Sequence, residues 1–569
     1  MLILQSWQIR LPRLLLSSVT MKRKFILVII LLFCSAFLSA QIRIDWQQCY
    51  GSMETDEVRC IIPNETGGYR VAGYVGEESG MVGCSFENVN RCWLIEIDSF
   101  GGFIGENCIS KFYPSKMFRL GESSFYMAGV GNRYIYYDRF IEVRKYRDEG
   151  TLEWRTQAGN DEKGVGNPPR VALTSDGGVV ATSFVQWPCG PGGEYYGGAD
   201  AWVVKINSEG EQEWEIMLGS QGEELPLAVL GDSEGNTLVS ITGSPLGYGN
   251  VASCNRTKHD AIITKLNSLG EIIWSRCYGG EEADGFNNFT ELSDGYLFAG
   301  ITESDDGDLD GAGYHFGYPN GNQWFRYSRD IWLMKTDFDG NVLWSRCYGG
   351  TEDDYPVEVF QNEDGGFTVF GTSKSIDGDV QSGQNLHLPW NGSPSKKIWA
   401  FRTDADGNLL WERAIGHKGN DIDLSDVIKH NEKEYTLAAT SGACVDPEYQ
   451  GDYNCTNAPL LEHGYKNWWV LHITDIFNYD DPTGIEEQPK VVPFTAKVYP
   501  NPTSNYLVVN GEKLQSADVY SLLGELVASK LGENVANITI DMNELPAGVY
   551  FVKVRDTEGR MCVQKIVKR

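Results

Sequence analysis

Histidine, metal-binding cysteine motifs and long apolar runs are all scarce in this sequence of 569 residues. Only seven histidines occur, and no two of the thirteen cysteines have the CxxC spacing, so a structural zinc site is not expected. The HExxH pattern of zinc proteases and the phosphate-binding loop of nucleotide enzymes are missing as well. The sequence therefore does not indicate the common metal-dependent or nucleotide-dependent enzymes.

Basic residues are also few, since 48 Lys and Arg face 78 Asp and Glu and give a net charge of −30. Such an acidic surface repels phosphate backbones and anionic lipids, so nucleic acid is not an expected partner. The apolar run Phe25–Phe33 is too short to span a bilayer comfortably. It follows the basic residues 22–24 and precedes Ala40, which predicts upstream residues and a signal peptide over 1–40. We expect no transmembrane anchor after cleavage; an N-terminal anchor is the alternative.

Glycine and tryptophan are abundant, with 64 and 16 residues, which favours an all-β repeat protein. The stretch WSRCYGG occurs at Trp274 and Trp344, and a related WQQCYGS occurs at Trp46. Alternating segments with a turn glycine precede most of the repeated tryptophans. That glycine lies four residues before the tryptophan at Gly150, Gly210, Gly270, Gly340 and Gly407.

Each repeat predicts two β-hairpins, because alternating segments flank Asp-Gly and Gly-Asn turns that tolerate positive φ. Seven such repeats predict a seven-bladed β-propeller over residues 41–478, with the tryptophans packed between blades. The last repeat ends at 466–475 without its outer strand. We expect residues 42–50 to supply that strand and close the ring, which removes two open sheet edges.

The hairpin with its tryptophan resembles two propeller signatures and matches neither. The Asp-box has three steps from glycine to tryptophan, whereas four are found here. The tryptophan-docking motif of quinone-dependent dehydrogenases keeps the four steps, but its aspartate lies one residue further from the glycine than Asp337 lies from Gly340. The repeat is similar to the wider group of roughly 60-residue propeller repeats in secreted bacterial proteins, which implies the fold and little about function.

The C-terminal residues carry a more specific resemblance. After an acidic linker (479–492), three blocks follow: VYPNPTSNYL, DVYSLLGELV and LPAGVYFVKV. Residues 493–569 closely resemble the C-terminal sorting domain of type IX secretion cargo in Bacteroidetes. The resemblance implies handling by the type IX secretion machinery and location at the outer-membrane surface or outside the cell. It implies a small Ig-like β-sandwich and is carried by Tyr499, Pro500, Asn501, Pro502, Gly524, Pro546, Gly548 and Tyr550.

Cysteine positions give three candidate disulfides for an oxidising compartment. Cys84 with Cys92 and Cys444 with Cys455 are close in sequence, and Cys189 lies in a loop equivalent to that of Cys254. The repeat-position cysteines are expected to be buried, small apolar side chains; these are Cys49, Cys108, Cys277 and Cys347.

Recurrent acidic residues are candidates for cation binding or glycoside chemistry, or else cap turns. One set recurs after the repeat tryptophan: Asp56, Glu224, Asp284, Asp354 and Asp421. A second set lies in the Asp- and Gly-rich stretches 305–311 and 377–383 and is a candidate calcium site, although an Asx-Gly turn suits the same pattern. Its members are Asp305, Asp308, Asp310, Asp377 and Asp379.

Aromatic residues in the insertions between the second and third strands are candidate ligand contacts, unless they pack within their own loops. The candidates are Tyr195, Tyr196, Tyr314, Trp324, Tyr327 and Trp390. These patterns favour a secreted cell-surface protein that binds a glycan or a protein. A secreted propeller enzyme acting on glycans, a hydrolase or lyase, is the alternative. No cofactor other than calcium is indicated.

Overall fold

The computed structural model divides the chain into two compact units, Met1–Phe477 and Asn478–Arg569. The predicted signal peptide and the predicted linker lie outside the residues it describes. Among the described residues, no helix has the length and apolar character needed to cross a membrane. The structure describes residues 42–52, 54–76, 81–83, 85, 91–121, 123–132, 139–159, 168–186, 196–243, 248–254, 258–317, 328–382, 395–417, 421–442, 466–475, 496–521, 526–543, 545–557 and 561–569.

Seven four-stranded antiparallel sheets form the first unit, and each is a blade of a β-propeller. Blades 1 and 2 comprise β2 (Glu57–Pro63), β3 (Tyr69–Tyr74), β4 (Arg91–Ile97), β5 (Phe103–Ser110), β6 (Phe112–Leu120), β7 (Ser124–Asn132), β8 (Arg139–Arg147) and β9 (Leu152–Ala158). Blades 3 and 4 comprise β10 (Arg170–Leu173), β11 (Val179–Gln186), β12 (Ala199–Ile206), β13 (Gln212–Leu218), β14 (Glu224–Gly231), β15 (Thr237–Gly243), β16 (Asp260–Leu266) and β17 (Ile272–Tyr278). Blades 5 and 6 comprise β18 (Asp284–Leu292), β19 (Gly295–Thr302), β20 (Asp330–Thr336), β21 (Val342–Tyr348), β22 (Asp354–Gln361), β23 (Phe367–Ser373), β24 (Lys397–Thr403) and β25 (Leu409–Ile415). Blade 7 comprises β26 (Ile422–Lys429), β27 (Glu434–Gly442), β28 (Lys466–Asp475) and β1 (Ile42–Tyr50).

The ring is closed by the strand that comes first in the sequence. β1 pairs antiparallel with β28, so that Trp46 lies opposite His472 and Cys49 lies opposite Trp469. The first strand of every blade contacts the first strand of the next, including β26 with β2, and these seven strands therefore surround the axis. The predicted seven-bladed propeller and its closure by residues 42–50 are confirmed.

A repeated contact between neighbouring blades explains the glycine and tryptophan spacing. Gly270, in the β16–β17 turn of blade 4, has a φ of +79°, which glycine adopts without strain. A Cβ added there would lie 2.8 Å from the ring of Trp214 in blade 3. The Trp214 Nε1 atom donates to the Ser268 carbonyl of the same turn at 3.0 Å. The turn glycine therefore receives the tryptophan of the preceding blade, as the sequence predicts.

The second unit contains five strands in one sheet that nearly closes on itself. β30 pairs with β29, β31 and β32, and a parallel bridge joins Thr503 to Lys568 beside the chain end. The all-β prediction is confirmed. The strands are joined in one nearly closed sheet, with register shifts between the long β30 and β31, which is not clearly the Ig-like sandwich that was expected. The strands are β29 (Lys497–Tyr499), β30 (Tyr506–Tyr520), β31 (Leu526–Asp541), β32 (Gly548–Asp556) and β33 (Met561–Lys568).

Two of the predicted disulfides are wrong. Cys254 is bonded to Cys277 rather than to Cys189, because the loop before β16 folds back onto the outer strand β17. Cys92 is a free, buried thiol within β4 and is therefore not bonded to Cys84. The Cys444–Cys455 pair lies outside the described residues.

The repeat-position cysteines are also not all free apolar side chains. Cys49, Cys108 and Cys277 are disulfide-bonded, whereas Cys347 is free and buried as predicted. One position in the repeat therefore serves both cross-linking and packing.

Candidate ligand site in the central channel

A cavity of about 850 Å³ lies on the propeller axis. All seven blades contribute to its lining, mainly through their innermost strands. Its volume falls in the range of roughly 300–1,000 Å³ that small-molecule sites occupy. The cavity is therefore the principal candidate site in the described part of the propeller.

A repeated irregularity shapes this cavity. In six of the seven innermost strands, pairing with the second strand skips one residue, which is the mark of a β-bulge. Bulges re-aim side chains and are common beside binding sites. Every skipped residue lines the cavity: Arg59, Ser115, Leu227, Asn287, Val357 and Ser425.

The residues that follow the bulges form a polar tier in which most charges are paired. The Lys116 Nζ atom donates to Glu358 Oε1 and Asp426 Oδ1, both at 2.7 Å, so it links blade 2 with blades 6 and 7. The second Asp426 oxygen accepts from the Ile61 amide at 2.9 Å. Burial opposes the charge on Lys116, but Asp426 and Glu358 outweigh it and raise the pKa of the ammonium. Lys116 therefore remains a cation and is engaged by both carboxyl groups.

Other charges of the lining are paired too. Arg59 donates to Glu57 at 2.5 Å and to the Tyr113 hydroxyl. The Asp423 carboxylate accepts from Lys396 at 2.7 Å and lies 3.5 Å from Lys466. Each acidic side chain of the described lining thus already has a cationic partner.

Three donors in the same cavity lack acceptors among the described residues. Arg170 is an exposed residue of the cavity wall, and its guanidinium forms neither a hydrogen bond nor an ion pair with those residues. The Arg59 Nε atom and the Ser115 hydroxyl are buried without a hydrogen-bond partner. Buried donors without acceptors are costly, so their concentration in one cavity indicates a ligand.

Sequence reasoning missed these residues, although the repeat contained a signal. Pairing with the second strand places Arg170 at the same position as Lys116 and Glu358. An alignment of the repeats would have shown that this position of the innermost strand holds charged residues of both signs.

The recurrent acidic residues cap turns instead of lining the channel. Asp354 Oδ2 accepts from the Gly350 amide at 3.0 Å, and Asp284 Oδ2 accepts from the Gly280 amide at 2.7 Å. Glu224 accepts from the Ser220 amide in the same manner. The turn-capping interpretation therefore applies to these three and to Asp56, which accepts from the Ser52 amide. Asp421 differs, because it accepts from the Lys396 amide in the segment before β24.

The candidate calcium residues fall into two groups: some accept hydrogen bonds from backbone amides of neighbouring turns, and the others are exposed. Asp308 accepts from the Gly279 amide at 2.9 Å, and Asp377 accepts from the Thr351 amide at 2.8 Å. Asp379 accepts from the Gly349 amide at 3.3 Å, while Asp305 and Asp310 are exposed.

Metal-binding geometry is sparse in the described ranges. Within them, the groups of three His, Cys, Asp or Glu side chains close enough to share an ion comprise only Cys254, Asp260 and Cys277, and the two cysteines are joined in a disulfide. The Asp- and Gly-rich stretches therefore tie loops to turns in this structure.

The candidate aromatic residues are described only in part. Tyr314 donates to the Ser328 carbonyl at 2.7 Å and forms an edge contact with Phe316, and Tyr196 packs against the core between blades 2 and 3. Both are therefore held within their own surroundings. Tyr195, Trp324, Tyr327 and Trp390 lie outside the described residues.

A serine motif that sequence reasoning also missed occurs in blade 4. Residues 231–235, GDSEG, have the glycine and serine spacing of a nucleophile elbow. They form the turn between β14 and β15, and the Ser233 hydroxyl donates to Glu291 at 2.6 Å. A hairpin turn without a histidine partner does not provide the strand–turn–helix context of that motif.

Comparison with known families identifies the C-terminal unit. Residues 497–569 match the family described as the secretion system C-terminal sorting domain. The protein is therefore a type IX secretion cargo, located outside the cell or attached to its surface. Of the sequence-predicted motif, Tyr550 is buried and donates to the Pro546 carbonyl at 2.8 Å, whereas Gly524 lies outside the described residues.

Solved structures that resemble the chain are distant. A Dos1 propeller is 10% identical, with 76% of this chain and 95% of that chain covered at a TM-score of 0.33. A prolyl oligopeptidase from Galerina marginata is 8% identical, with 81% and 56% covered at a TM-score of 0.36. An α-L-arabinofuranosidase from Fusarium graminearum is 8% identical, with 64% and 98% covered at a TM-score of 0.34. No curated protein matches the chain. Similarity at this level carries no functional argument.

Proposed function

We propose that this type IX secretion cargo is a surface-displayed binding protein that takes its ligand in the central cavity of the propeller. The observation that carries this proposal is the set of buried donors without acceptors in a cavity built by repeated β-bulges. A rigid ring whose innermost strands all contribute is a suitable scaffold for a preorganised recognition site.

A binding role accounts for the cavity better than glycoside hydrolysis does. Glycosidases generally use two carboxyl groups, one of which is protonated and serves as the acid. The three acidic side chains of the described lining, Glu57, Glu358 and Asp423, are each paired with a cation. Their pairing keeps them engaged with the protein, which leaves no free pair of carboxyl groups in that lining. Hydrolase or lyase chemistry remains the alternative that the experiment below separates from binding.

The test uses the full chain from residue 41 to its C-terminus, applied to a glycan array and to a panel of peptides. We expect retention of a subset of glycans without any chemical change of them. Mass spectrometry of the retained glycans detects cleavage, and the appearance of shortened or unsaturated products would replace the binding proposal with the enzyme alternative. Absence of any retained ligand would reject both.

Calcium belongs to the same proposal. Asp308 and Asp379 occupy equivalent loops and each clamps a turn glycine, so a bound cation would reinforce an arrangement that exists already. The array is therefore run with calcium and with EDTA, and we expect calcium to change thermal stability more than ligand choice. Identical melting curves under both conditions would exclude the calcium site.

A further inference from the structure

We propose that the cavity binds the carboxylate or sulfate group of an acidic saccharide, held by Arg170 together with Arg59 and Ser115. This inference rests on the proposed function and names its ligand class. The reason lies in the distribution of charge around the channel, which differs from that of the whole protein.

The unpaired donors lie on one side of the channel. Arg59, Ser115 and Arg170 belong to blades 1, 2 and 3, which are consecutive in the ring. The acidic residues of the polar tier, Glu358 and Asp426, belong to blades 6 and 7 and share Lys116 between them. The carboxylates on one side of the channel are thus engaged by Lys116, and Arg59 on the other side is paired with Glu57, whereas the charge of Arg170 is balanced by no described residue.

The two guanidinium groups of Arg59 and Arg170 repel each other when no anion is bound between them. Partial desolvation lowers the pKa of the Arg170 guanidinium, and the charge of the neighbouring Arg59 lowers it further. An oxyanion between the two guanidinium groups would replace this repulsion by charge-assisted hydrogen bonds. Such bonds are stronger than those between neutral groups. The protein as a whole has a net charge of −30, so a local excess of positive charge at the axis sets the cavity apart from the rest of the molecule.

The remaining lining suits a hydroxyl-rich ligand. The bulged positions Ser115, Ser425 and Asn287 supply hydroxyl and amide groups around the two arginines. Tyr113 lines the cavity beneath the Arg59 guanidinium, with 5.0 Å between the guanidinium carbon and the ring centre, and so helps to position Arg59. An acidic saccharide combines an oxyanion with several hydroxyls and an apolar ring face, so its chemistry matches the lining as a whole.

The experiment compares matched ligands on the full chain from residue 41. Oligogalacturonate, its carboxyl-reduced neutral counterpart, a sulfated oligosaccharide and a glutamate-rich peptide are titrated separately by calorimetry. We expect the carboxylate or sulfate form to bind at least tenfold more tightly than the neutral form. Equal affinity for the neutral form would overturn the inference while leaving the binding function intact, and preference for the peptide would overturn the saccharide class.

Variants locate the site. Arg170→Ala should weaken binding of the acidic saccharide about tenfold or more, and Arg170→Lys should restore part of the loss because charge returns without the planar fork. Arg147→Ala is the matched control, since Arg147 lies on the surface with its side chain 59% exposed. Circular dichroism verifies that each variant is folded. If the folded Arg170→Ala variant binds the acidic saccharide as tightly as the unmodified chain, the proposed site is wrong. If the unmodified chain binds none of the ligands, the proposed function is wrong instead.

Discussion

Blade 7 takes its outermost strand, β1, from the opposite end of the chain, whereas blade 3 is built from four consecutive strands. Blade 7 meets blade 1 at the closing seam, and blade 3 meets blade 4 at a seam between two such regular blades. The side-chain contacts at the two seams are nevertheless the same. A Cβ added at Gly101 in blade 1 would lie 2.8 Å from the ring of Trp46, and one added at Gly270 in blade 4 would lie 2.8 Å from the ring of Trp214. The repeat contacts at a seam are therefore the same whether the tryptophan strand is consecutive with the rest of its blade or comes from the far end of the chain.

The closing seam differs from the seam between blades 5 and 6 in its ionisable groups. A Cβ added at Gly349 would lie 2.7 Å from Asp330 and 2.5 Å from Asp354, so two carboxyl groups approach one turn. At Gly51 of the closing seam, Asn467 takes the place of the first aspartate.

Two histidines occur beside the closing seam, with 5.3 Å between the ring centres of His430 and His472. Thr436 contacts both rings, and Trp46 of the closing strand stacks on His472. The two seams should therefore respond to pH in opposite directions.

Removal of the closing strand is expected to have the largest effect. Deleting residues 42–50 would expose buried side chains of blade 7 and remove the disulfide of Cys49, so the free energy of unfolding should fall by more than about 4 kcal/mol. Chemical denaturation and limited proteolysis measure the loss. Arg43→Ala changes an exposed residue of the same strand and serves as the control. Unchanged stability after the deletion would mean that the ring does not depend on this strand.

Substitution of the seam glycines tests whether the two seams are energetically equivalent. Gly101→Ala and Gly270→Ala should each cost about 2–4 kcal/mol, because positive φ and contact with the tryptophan ring both oppose a Cβ. Gly150→Ala is the control, since its φ is +85° but nothing lies within 4 Å of the added Cβ, and it should cost only about 1–2 kcal/mol. Equal losses in all three variants would show that ring contact contributes nothing.

Acid should weaken the closing seam through its histidines. Burial lowers the pKa of His430 and His472, and the charge of His472 lowers that of His430 further, so the unfolded chain binds more protons than the native one. Stability is then lost as the pH falls below about 6.5, the ordinary value for histidine. The double variant His430→Gln with His472→Asn should reduce this loss by about 1–2 kcal/mol at pH 5. His259→Asn, at an exposed histidine, should leave the loss as it is.

Alkali should weaken the seam between blades 5 and 6 through its carboxyl groups. Burial raises the pKa of Asp330 to about 6 and that of Asp354 to about 8, with Asp330 adding to the latter. The native state therefore binds more protons than the unfolded chain, and stability is lost as the pH rises from about 4 to 8.

Asp354→Asn should match the unmodified protein at pH 5.5 and exceed its stability by roughly 1–2 kcal/mol at pH 8.5, because the amide retains the acceptor for Gly350 without ionising. Asp339→Asn, at an exposed aspartate, is the control. The same pH dependence in Asp354→Asn and the unmodified protein would show that this carboxyl group does not control the seam.

The fold could be predicted from the sequence because each repeat carries its own local signals. Turn glycines such as Gly340 require positive φ, and tryptophans such as Trp214 recur at one spacing. The disulfide between Cys254 and Cys277 could not be predicted, since it depends on how an irregular loop returns to an outer strand.

The candidate site was predictable to a smaller extent. Arg170 becomes distinctive only when closure of the ring places it beside Arg59, which is 111 positions earlier in the sequence. Acidic residues such as Asp354 attracted attention because they recur, but recurrence reflects turn capping, which every blade needs. A binding site on a repeat protein instead depends on positions where one repeat differs from the others, as Arg170 does.

The pairing of β1 with β28 also determines when folding can finish. Thr474 and Asp45 bond across 429 residues of sequence, so the last contact of the ring joins the earliest part of the propeller to its latest. Contacts of such high contact order form slowly, since the whole intervening chain must be ordered first. Ring closure therefore has to wait until the chain has been made through residue 475, and one short strand reports whether the propeller is complete.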